Sequence, residues 1–148
     1  MGLSQLADTV GTVAREATLR DVAHRMLVDT VGAVIVTDAE SRAIQGIVTD
    51  RDVVRAIAEG ADPATATVAE LLGRPVATVR EGASRAEVAH EMKVHGVRRI
   101  PVVNAEGDVT AIISMDDLIV SLGQEVADLA SAVRSEFRHE IARTSNRH

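Results

Sequence analysis

An internal repeat constrains the fold of this chain more than any other feature. The segment VGTVAREATLRDVAHRM at residues 10–26 aligns with VATVREGASRAEVAHEM at residues 76–92, an offset of 66. The offset falls to 65 after DAESRAIQG (38–46), which is one residue longer than its counterpart NAEGDVTA (104–111). A unit of roughly 60 residues buries little apolar surface alone. We therefore expect the two copies to pack face to face, with their strands sharing one core.

Each copy has the pattern of a strand, a helix, two strands and a second helix. In the first copy, Thr18 and Thr49 each precede a run in which apolar residues recur every three or four positions. Ser84 and Ser114 occupy the matching positions in the second copy. Short runs rich in β-branched residues predict a hairpin in each copy. The residues expected to face the core are Leu19, Val22, Ala23, Met26 and Leu27 in the first helix, Val53, Val54, Ile57 and Ala58 in the second, and Leu118, Ile119 and Leu122 in the fourth.

The repeats divide the chain into four parts. We predict a first repeat over residues 1–60, a linker with a short helix over 61–75, a second repeat over 76–123 and a C-terminal tail over 124–148. The repeats and their linker are expected to form one folding unit of the α+β class, because 148 residues is about the size of a single domain.

The tail has a pattern of its own. Val126, Leu129, Val133, Phe137 and Ile141 recur at intervals of three and four residues, which predicts an amphipathic helix. Such a helix either folds back on the repeats or associates with another chain. We favour self-association, and therefore a homodimer.

Charge and composition disfavour several classes of protein. The net charge of −6 and the single aromatic residue, Phe137, argue against a nucleic-acid partner, which would favour a basic surface or an aromatic stacking platform. The chain has no cysteine, and His90 and His95 are five residues apart on different faces of a helix, so no metal site is predicted. Without a signal-like N-terminus or an apolar run of roughly 18 residues, we expect a cytoplasmic protein that does not enter a membrane.

Thr49 and Asp52 stand three residues apart where a predicted strand gives way to a helix. A capping box explains this spacing without any ligand. A strand end that opens into a helix N-terminus also presents free N–H groups and a hydroxyl to an anionic or hydroxylated ligand. Ser114 and Asp117 repeat the arrangement in the second copy. The same spacing occurs at Thr18/Asp21, Thr67/Glu70 and Ser84/Glu87. Spacing alone therefore favours capping.

The repeats resemble a known family. The segments GIVTDRDVVRAIAEG (46–60) and GVRRIPVVNAEGDVTAIISMDDLI (96–119) are similar to the cystathionine-β-synthase (CBS) domain, which occurs in pairs called Bateman modules. The resemblance implies a flat disc with pseudo-two-fold symmetry and clefts between the copies that take adenine nucleotides such as AMP, ADP or ATP. It also implies that the hydroxyl and the aspartate at each helix entry hold the ribose.

Two clefts follow from the resemblance. The first would use Thr12, Ala17, Val31, Gly32 and Ala33 with Ile112, Ser114 and Asp117. The second would use Thr78, Ala83, Val97, Arg98 and Arg99 with Ile47, Thr49 and Asp52. Arginine suits phosphate oxygens, so the second cleft is the favoured site. Alternation along a strand allows at most one of the two arginines to point into it.

These features favour a regulatory module over an enzyme. We expect it to sense the energy state of the cell through an adenine nucleotide, to use no catalytic cofactor, and to act on a regulated protein that the sequence does not identify. The alternative is an interaction scaffold with empty clefts that works through its C-terminal helix. Neither repeat offers a nucleophile with a visible base, a metal set or a phosphate-binding glycine loop, so an enzyme is the least favoured class.

Overall fold

The computed structural model describes residues 11–145. The first repeat contains β1 (Thr12–Ala14), α1 (Leu19–Asp29), β2 (Ala33–Thr37), β3 (Ile44–Thr49) and α2 (Asp50–Ala58). A short 3-10 helix (Val68–Leu71) lies in the linker. The second repeat contains β4 (Val79–Arg80), α3 (Arg85–His95), β5 (Arg99–Val103), β6 (Val109–Ser114) and α4 (Met115–Ser145). The α+β class and the repeated element order are confirmed. The first ten residues of the predicted first repeat and the last three of the tail lie outside the described residues.

The two repeats have the same sheet topology. In each, the first strand pairs in parallel with the second, and the second pairs antiparallel with the third, giving the orders β1-β2-β3 and β4-β5-β6. Ala33 lies opposite Thr49 in the first sheet, and Arg99 lies opposite Ser114 in the second. Even an irregularity in register recurs, after Val36 and after Val102. The duplication therefore extends from sequence to backbone pairing.

The helices begin where the hydroxyl residues predict. Thr18, Thr49 and Ser84 each accept a hydrogen bond from the backbone N–H three residues on, and the acidic residue there accepts from the cap N–H. Hydrogen bonds from the Thr18 side chain and N–H lower the pKa of Asp21 below its ordinary value. The N–H and side chain of Ser84 do the same to the pKa of Glu87. Capping is thus confirmed as a local role of this spacing.

Each repeat has a core of its own, so the expected single shared core is wrong. Val34, Val36 and Val48 pack with residues of α1 and α2 in one cluster, and a second cluster lies within the second repeat. Side chains alternate across a strand, so Ile35 faces away from the helices of its own repeat. Ile35 is nevertheless fully buried, as is its counterpart Pro101. The two sheets therefore cover each other through a separate apolar layer, which we call the seam.

Half of the residues expected to face a core are exposed. Leu19, Val22, Ala23, Met26, Val53 and Leu118 are buried or partly buried as predicted. Leu27, Val54, Ile57, Ala58, Ile119 and Leu122 are exposed. The helices contact their neighbours in pairs, α1 with α2 and α3 with α4, and only a narrow stripe of each is covered. The second apolar row of each helix therefore faces solvent.

The predicted C-terminal tail continues the last helix of the second repeat. The helix α4 runs without interruption for 31 residues, from Met115 to Ser145. Its first part packs on the repeat, with Leu118 and Ser121 buried. Arg85 of α3 donates to the Ser121 hydroxyl at 2.9 Å and also pairs with Glu125, so α3 holds the base of α4. Beyond this base the helix projects from the repeat.

The linker is bound to the first repeat. Val68 is fully buried in the first cluster, and its N–H donates to the Ala17 carbonyl at 2.8 Å. Leu72 packs against β3 at Gly46, where a Cβ atom would overlap the Leu72 side chain. The second repeat has Ala111 at the position that matches Gly46. A glycine is therefore needed at position 46, because the linker residue Leu72 occupies the space that an alanine side chain would fill.

Candidate ligand-binding site

A cavity of about 590 Å³ lies between the two repeats. Its volume is within the range of roughly 300–1,000 Å³ that is usual for small-molecule sites. Ile47 of β3 forms part of one wall, and Val97 and Arg99 of the second repeat form another. These three residues belong to the predicted second cleft, so the structure brings them together across the seam.

The entry of helix α2 follows Ile47, which lines this cavity, but Thr49 and Asp52 are not themselves lining residues. Ile47 and Thr49 are two residues apart on β3 and therefore lie on the same face of the sheet. The Oδ2 atom of Asp52 accepts from the Thr49 N–H at 2.9 Å and from the Thr49 hydroxyl at 2.8 Å. Within residues 11–145, no hydrogen bond uses the other oxygen, Oδ1. A capping carboxylate therefore retains one oxygen that can accept hydrogen bonds from a ligand.

Arg98 and Arg99 diverge, as alternation along a strand requires. Arg98 points to solvent and pairs with Asp116 at 3.0 Å, with its side chain 70% exposed. Arg99 reaches across the seam, where its Nη2 atom lies 3.7 Å from the point that a Cβ on Gly32 would occupy. Asp50 Oδ2 lies 3.6 Å from the same point. Arg99 is also the register neighbour of Ser114. Gly32 and Ser114 were assigned to the first cleft, so Arg99 borders residues of both clefts.

The remaining predicted residues occupy matching places in the two repeats. Thr78 immediately precedes β4 and is partly buried, whereas Thr12 lies in β1 and is exposed. Ala17 and Ala83 close equivalent turns by donating to Ala14 and Arg80, respectively. Val31 and Val97 each pack against the core of their own repeat. Ala33 is paired with Thr49 on the adjacent strand β3, and Ile112 is paired with Pro101 on the adjacent strand β5.

Ser114 and Asp117 reproduce the helix entry in the second repeat. The Ser114 hydroxyl and N–H both donate to Asp117 Oδ2, and the Asp117 N–H donates back to the hydroxyl at 3.1 Å. Both side chains are partly buried. The two helix entries therefore offer the same chemistry, and none of their four side chains is among the residues that line the cavity described above. The first entry follows Ile47 on β3, and the second lies beside Arg99 through Ser114.

The sequence did not predict that the linker forms a wall of the cavity. The lining includes the stretch from Leu71 to Ala77, and also His95 and Gly96 at the end of α3. Arg74 and His95 add two basic side chains to Arg99, and none of the lining residues within 11–145 is acidic. One feature of the sequence was related to this wall: the first repeat has Gly46 where the second has Ala111, and Leu72 packs against Gly46.

Two further properties bear on the class of site. Among residues 11–145, no three His, Asp or Glu side chains lie close enough together to hold a metal ion. In the same part of the chain, no helix combines the length and apolar character needed to cross a membrane.

Comparison with known proteins identifies the family. A sequence model of the CBS domain matches residues 6–59 and again residues 68–123, which together make up most of the chain. The chain therefore belongs to the CBS domain family and contains a CBS pair, or Bateman module.

Individual relatives agree with this assignment. Hypoxic response protein 1 of Mycobacterium tuberculosis is 34% identical over 110 residues, which cover 74% of this chain and 76% of that protein. A crystal structure of Hypoxic Response Protein I, with two coordinated zinc ions, has a TM-score of 0.68 at 30% identity and covers 80% of this chain and 97% of that one.

Two other solved structures contain nucleotides. The cytosolic domain of the Mg²⁺ channel MgtE in complex with ATP has a TM-score of 0.68 at 25% identity, covering 81% of this chain and 48% of that one. The CBS domain protein PAE2072 from Pyrobaculum aerophilum, complexed with AMP, has a TM-score of 0.72 at 23% identity. It covers 84% of this chain and 99% of that one, and at this identity the likeness concerns the fold.

Proposed function

We propose that this protein is a non-catalytic regulatory module that binds an adenine nucleotide in the cavity between its repeats. The observation that carries the proposal is the convergence of Ile47, Val97 and Arg99, from different repeats, on one cavity. Thr49 lies two residues after Ile47, on the same face of β3. AMP and ATP in the structures of two CBS proteins support the class of ligand.

Each part of a nucleotide has a matching group in this arrangement. The free Oδ1 of Asp52 accepts hydrogen bonds from the ribose hydroxyls, and the N-terminus of α2 favours an anion nearby. Ile47 and Val97 offer apolar surface to the base. The Arg99 guanidinium binds phosphate oxygens. The entry at Ser114 and Asp117, which also lies near Arg99, is proposed as a second, weaker site.

Regulation requires that the nucleotide binds two arrangements of the protein with different affinity. The cavity is formed by both repeats and the linker, so its occupancy depends on how the repeats lie against each other. We propose that a cytoplasmic homodimer uses this dependence to report the energy state of the cell to a regulated protein.

The direct test is calorimetry with AMP, ADP and ATP. Asp52→Ala is expected to bind each nucleotide about 10- to 100-fold more weakly, because it removes a charged hydrogen-bond acceptor. Asp21→Ala is the matched control, since Asp21 forms the same capping box at the exposed start of α1. Equal affinity in wild type and Asp52→Ala, or equal losses in both variants, would remove Asp52 from the site.

A second candidate function is a scaffold that acts through association alone. The exposed apolar side chains along α4 favour it. This function predicts that no adenine nucleotide changes the melting temperature of the protein. A saturating nucleotide that raises the melting temperature would exclude the scaffold as the whole function.

A further inference from the structure

The helix α4 extends well beyond the CBS pair. The family match ends at residue 123, whereas the helix continues to Ser145. The described part that projects, residues 122–145, is about 36 Å long at 1.5 Å per residue. A helix of this length gains little stability from propensity alone and usually depends on packing of an apolar face. The projecting part of α4 therefore needs a surface that the repeats do not supply.

The apolar face of the projecting part is open along its whole length. Val126, Leu129, Val133, Phe137 and Ile141 are between 52% and 69% exposed. Leu122, at the base of the projection, is 49% exposed. A continuous row of large apolar side chains of this kind is uncommon on a monomer and marks an interaction surface.

One row of this face, which contains Ala130 instead of its neighbour Leu129, has the same spacing in both directions. Leu122, Val126, Ala130, Val133, Phe137 and Ile141 follow one another at intervals of 4, 4, 3, 4 and 4 residues. Two identical helices placed antiparallel about the midpoint of this row would set Leu122 opposite Ile141, Val126 opposite Phe137 and Ala130 opposite Val133. Leu122 and Phe137 then meet large or medium side chains, Val133 meets the small Ala130, and Leu129 lies opposite Arg134. A two-fold symmetric interface requires this kind of self-complementary surface.

Charge also favours the antiparallel arrangement. From Gln124 to Ser131 the charged residues are both acidic, Glu125, which pairs with Arg85 of its own chain, and Asp128. From Ala132 to Ser145 there are three arginines against two glutamates. Antiparallel packing sets the acidic half of one helix against the more basic half of the other, and it also opposes the two helix dipoles. Parallel packing would set the acidic halves side by side.

We propose that α4 pairs with α4 of a second copy of this chain as an antiparallel two-helix interface. This inference deepens the proposed self-association and does not depend on nucleotide binding. It assigns the dimer to the helix extension and not to the exposed apolar residues of α1 and α2. The two CBS pairs then lie at opposite ends of the helix pair.

Sedimentation velocity of the full chain tests the surface. Val133→Asp with Phe137→Asp is expected to convert a dimer into a monomer, because two charges would be buried at the interface. Ser131→Asp with Ala142→Asp is the matched control, since these positions lie about 160–180° round the helix from Val133. The control is expected to remain a dimer.

Two outcomes of this experiment contradict the proposal. A monomeric wild type would overturn the interface and the proposed self-association together. A wild-type dimer that survives Val133→Asp with Phe137→Asp but dissociates with Val54→Asp and Ile57→Asp would place the interface on α2. That result would overturn the α4 interface and leave self-association intact.

Disulfide trapping tests the orientation, and the absence of cysteine from the chain makes it unambiguous. Val126→Cys and Phe137→Cys are prepared separately, mixed and oxidised. Antiparallel packing is expected to give a crosslink between the two variants and little within either one, because like positions would be about 16 Å apart. Efficient crosslinking of Val126→Cys to itself would show parallel packing and overturn the proposal.

Discussion

Arg99 places a positive charge at the boundary between the repeats. It extends from β5 toward Gly32 and Asp50 of the first repeat, whereas its neighbour Arg98 is occupied at the surface by Asp116. The corresponding residue of the first repeat is Ala33, so the charge occurs once and not twice. The strand β5 therefore brings a guanidinium to the cavity, whereas the matching strand β2 brings none.

Arg99→Gln is expected to weaken binding of ATP and ADP by about 10- to 100-fold, because the lost hydrogen bonds are charge-assisted. Adenosine has no phosphate, so its affinity is expected to stay within about twofold of wild type. Isothermal calorimetry measures both values. Arg98→Gln is the control and should bind all ligands as wild type does, since Arg98 faces solvent. A loss of ATP affinity in Arg98→Gln that equals the loss in Arg99→Gln would contradict this assignment.

At the scale of single elements, the ends of α1 and α3 differ in one instructive way. Both helices end with a residue in the left-handed conformation, Thr30 with φ of 54° and Gly96 with φ of 64°. Glycine adopts this conformation freely, whereas a β-branched residue is strained there by about 1–2 kcal/mol. The first repeat therefore carries a cost at this position that the second repeat avoids.

Thr30→Gly is expected to raise the free energy of unfolding by about 1 kcal/mol, less than the full strain because glycine also increases the entropy of the unfolded chain. The reverse change, Gly96→Thr, is expected to lower it by about 1–2 kcal/mol. Urea denaturation of both variants gives the two values. Effects of the same sign in the two variants would show that left-handed strain does not decide the stability of these helix ends.

Element starts were predictable because their determinants are local. A threonine or serine followed three residues later by an acid fixes a helix start by contacts within one turn, and Thr18, Thr49 and Ser84 all do so. Exposure on the far side of a helix has no local determinant. Val54 and Ile57 have the same spacing as core residues, and only the position of α2 at the outside of the sheet decides that they face solvent.

The seam is a property of the whole molecule, since neither repeat forms it alone. Ile35 belongs to neither of the two core clusters, yet it is fully buried because the second sheet covers it. Removing its side chain leaves a gap between the repeats. We expect Ile35→Ala to lower the free energy of unfolding by about 2–5 kcal/mol.

Chemical denaturation of the intact chain measures this loss. Ile57→Ala is the control, because it deletes the same atoms from a side chain that is 45% exposed, and its cost should stay below about 1 kcal/mol. A cost for Ile35→Ala no greater than that of Ile57→Ala would mean that the sheets do not bury this residue against each other in solution.

The seam also explains which part of the site was predictable. Matching positions in the two repeats, together with the family resemblance, pointed to eight residues, of which Ile47, Val97 and Arg99 line the cavity. The other five are not lining residues: Thr49, Asp52, Thr78, Ala83 and Arg98. The wall formed by Leu72, Arg74 and the rest of the linker was not predicted. The position of this wall depends on how the linker packs against the first repeat. The sequence of residues 61–75 has no periodic pattern from which that packing could be predicted.

The continuity of α4 gives the molecule a lever. This 31-residue helix begins at Met115, beside the Ser114 and Asp117 entry near Arg99, and ends at Ser145. Over the roughly 36 Å that project beyond the base, a tilt of about 10° displaces the tip by about 6 Å. A shift of one repeat against the other too small to disturb either core would thus be magnified at the tip into a movement wider than a side chain.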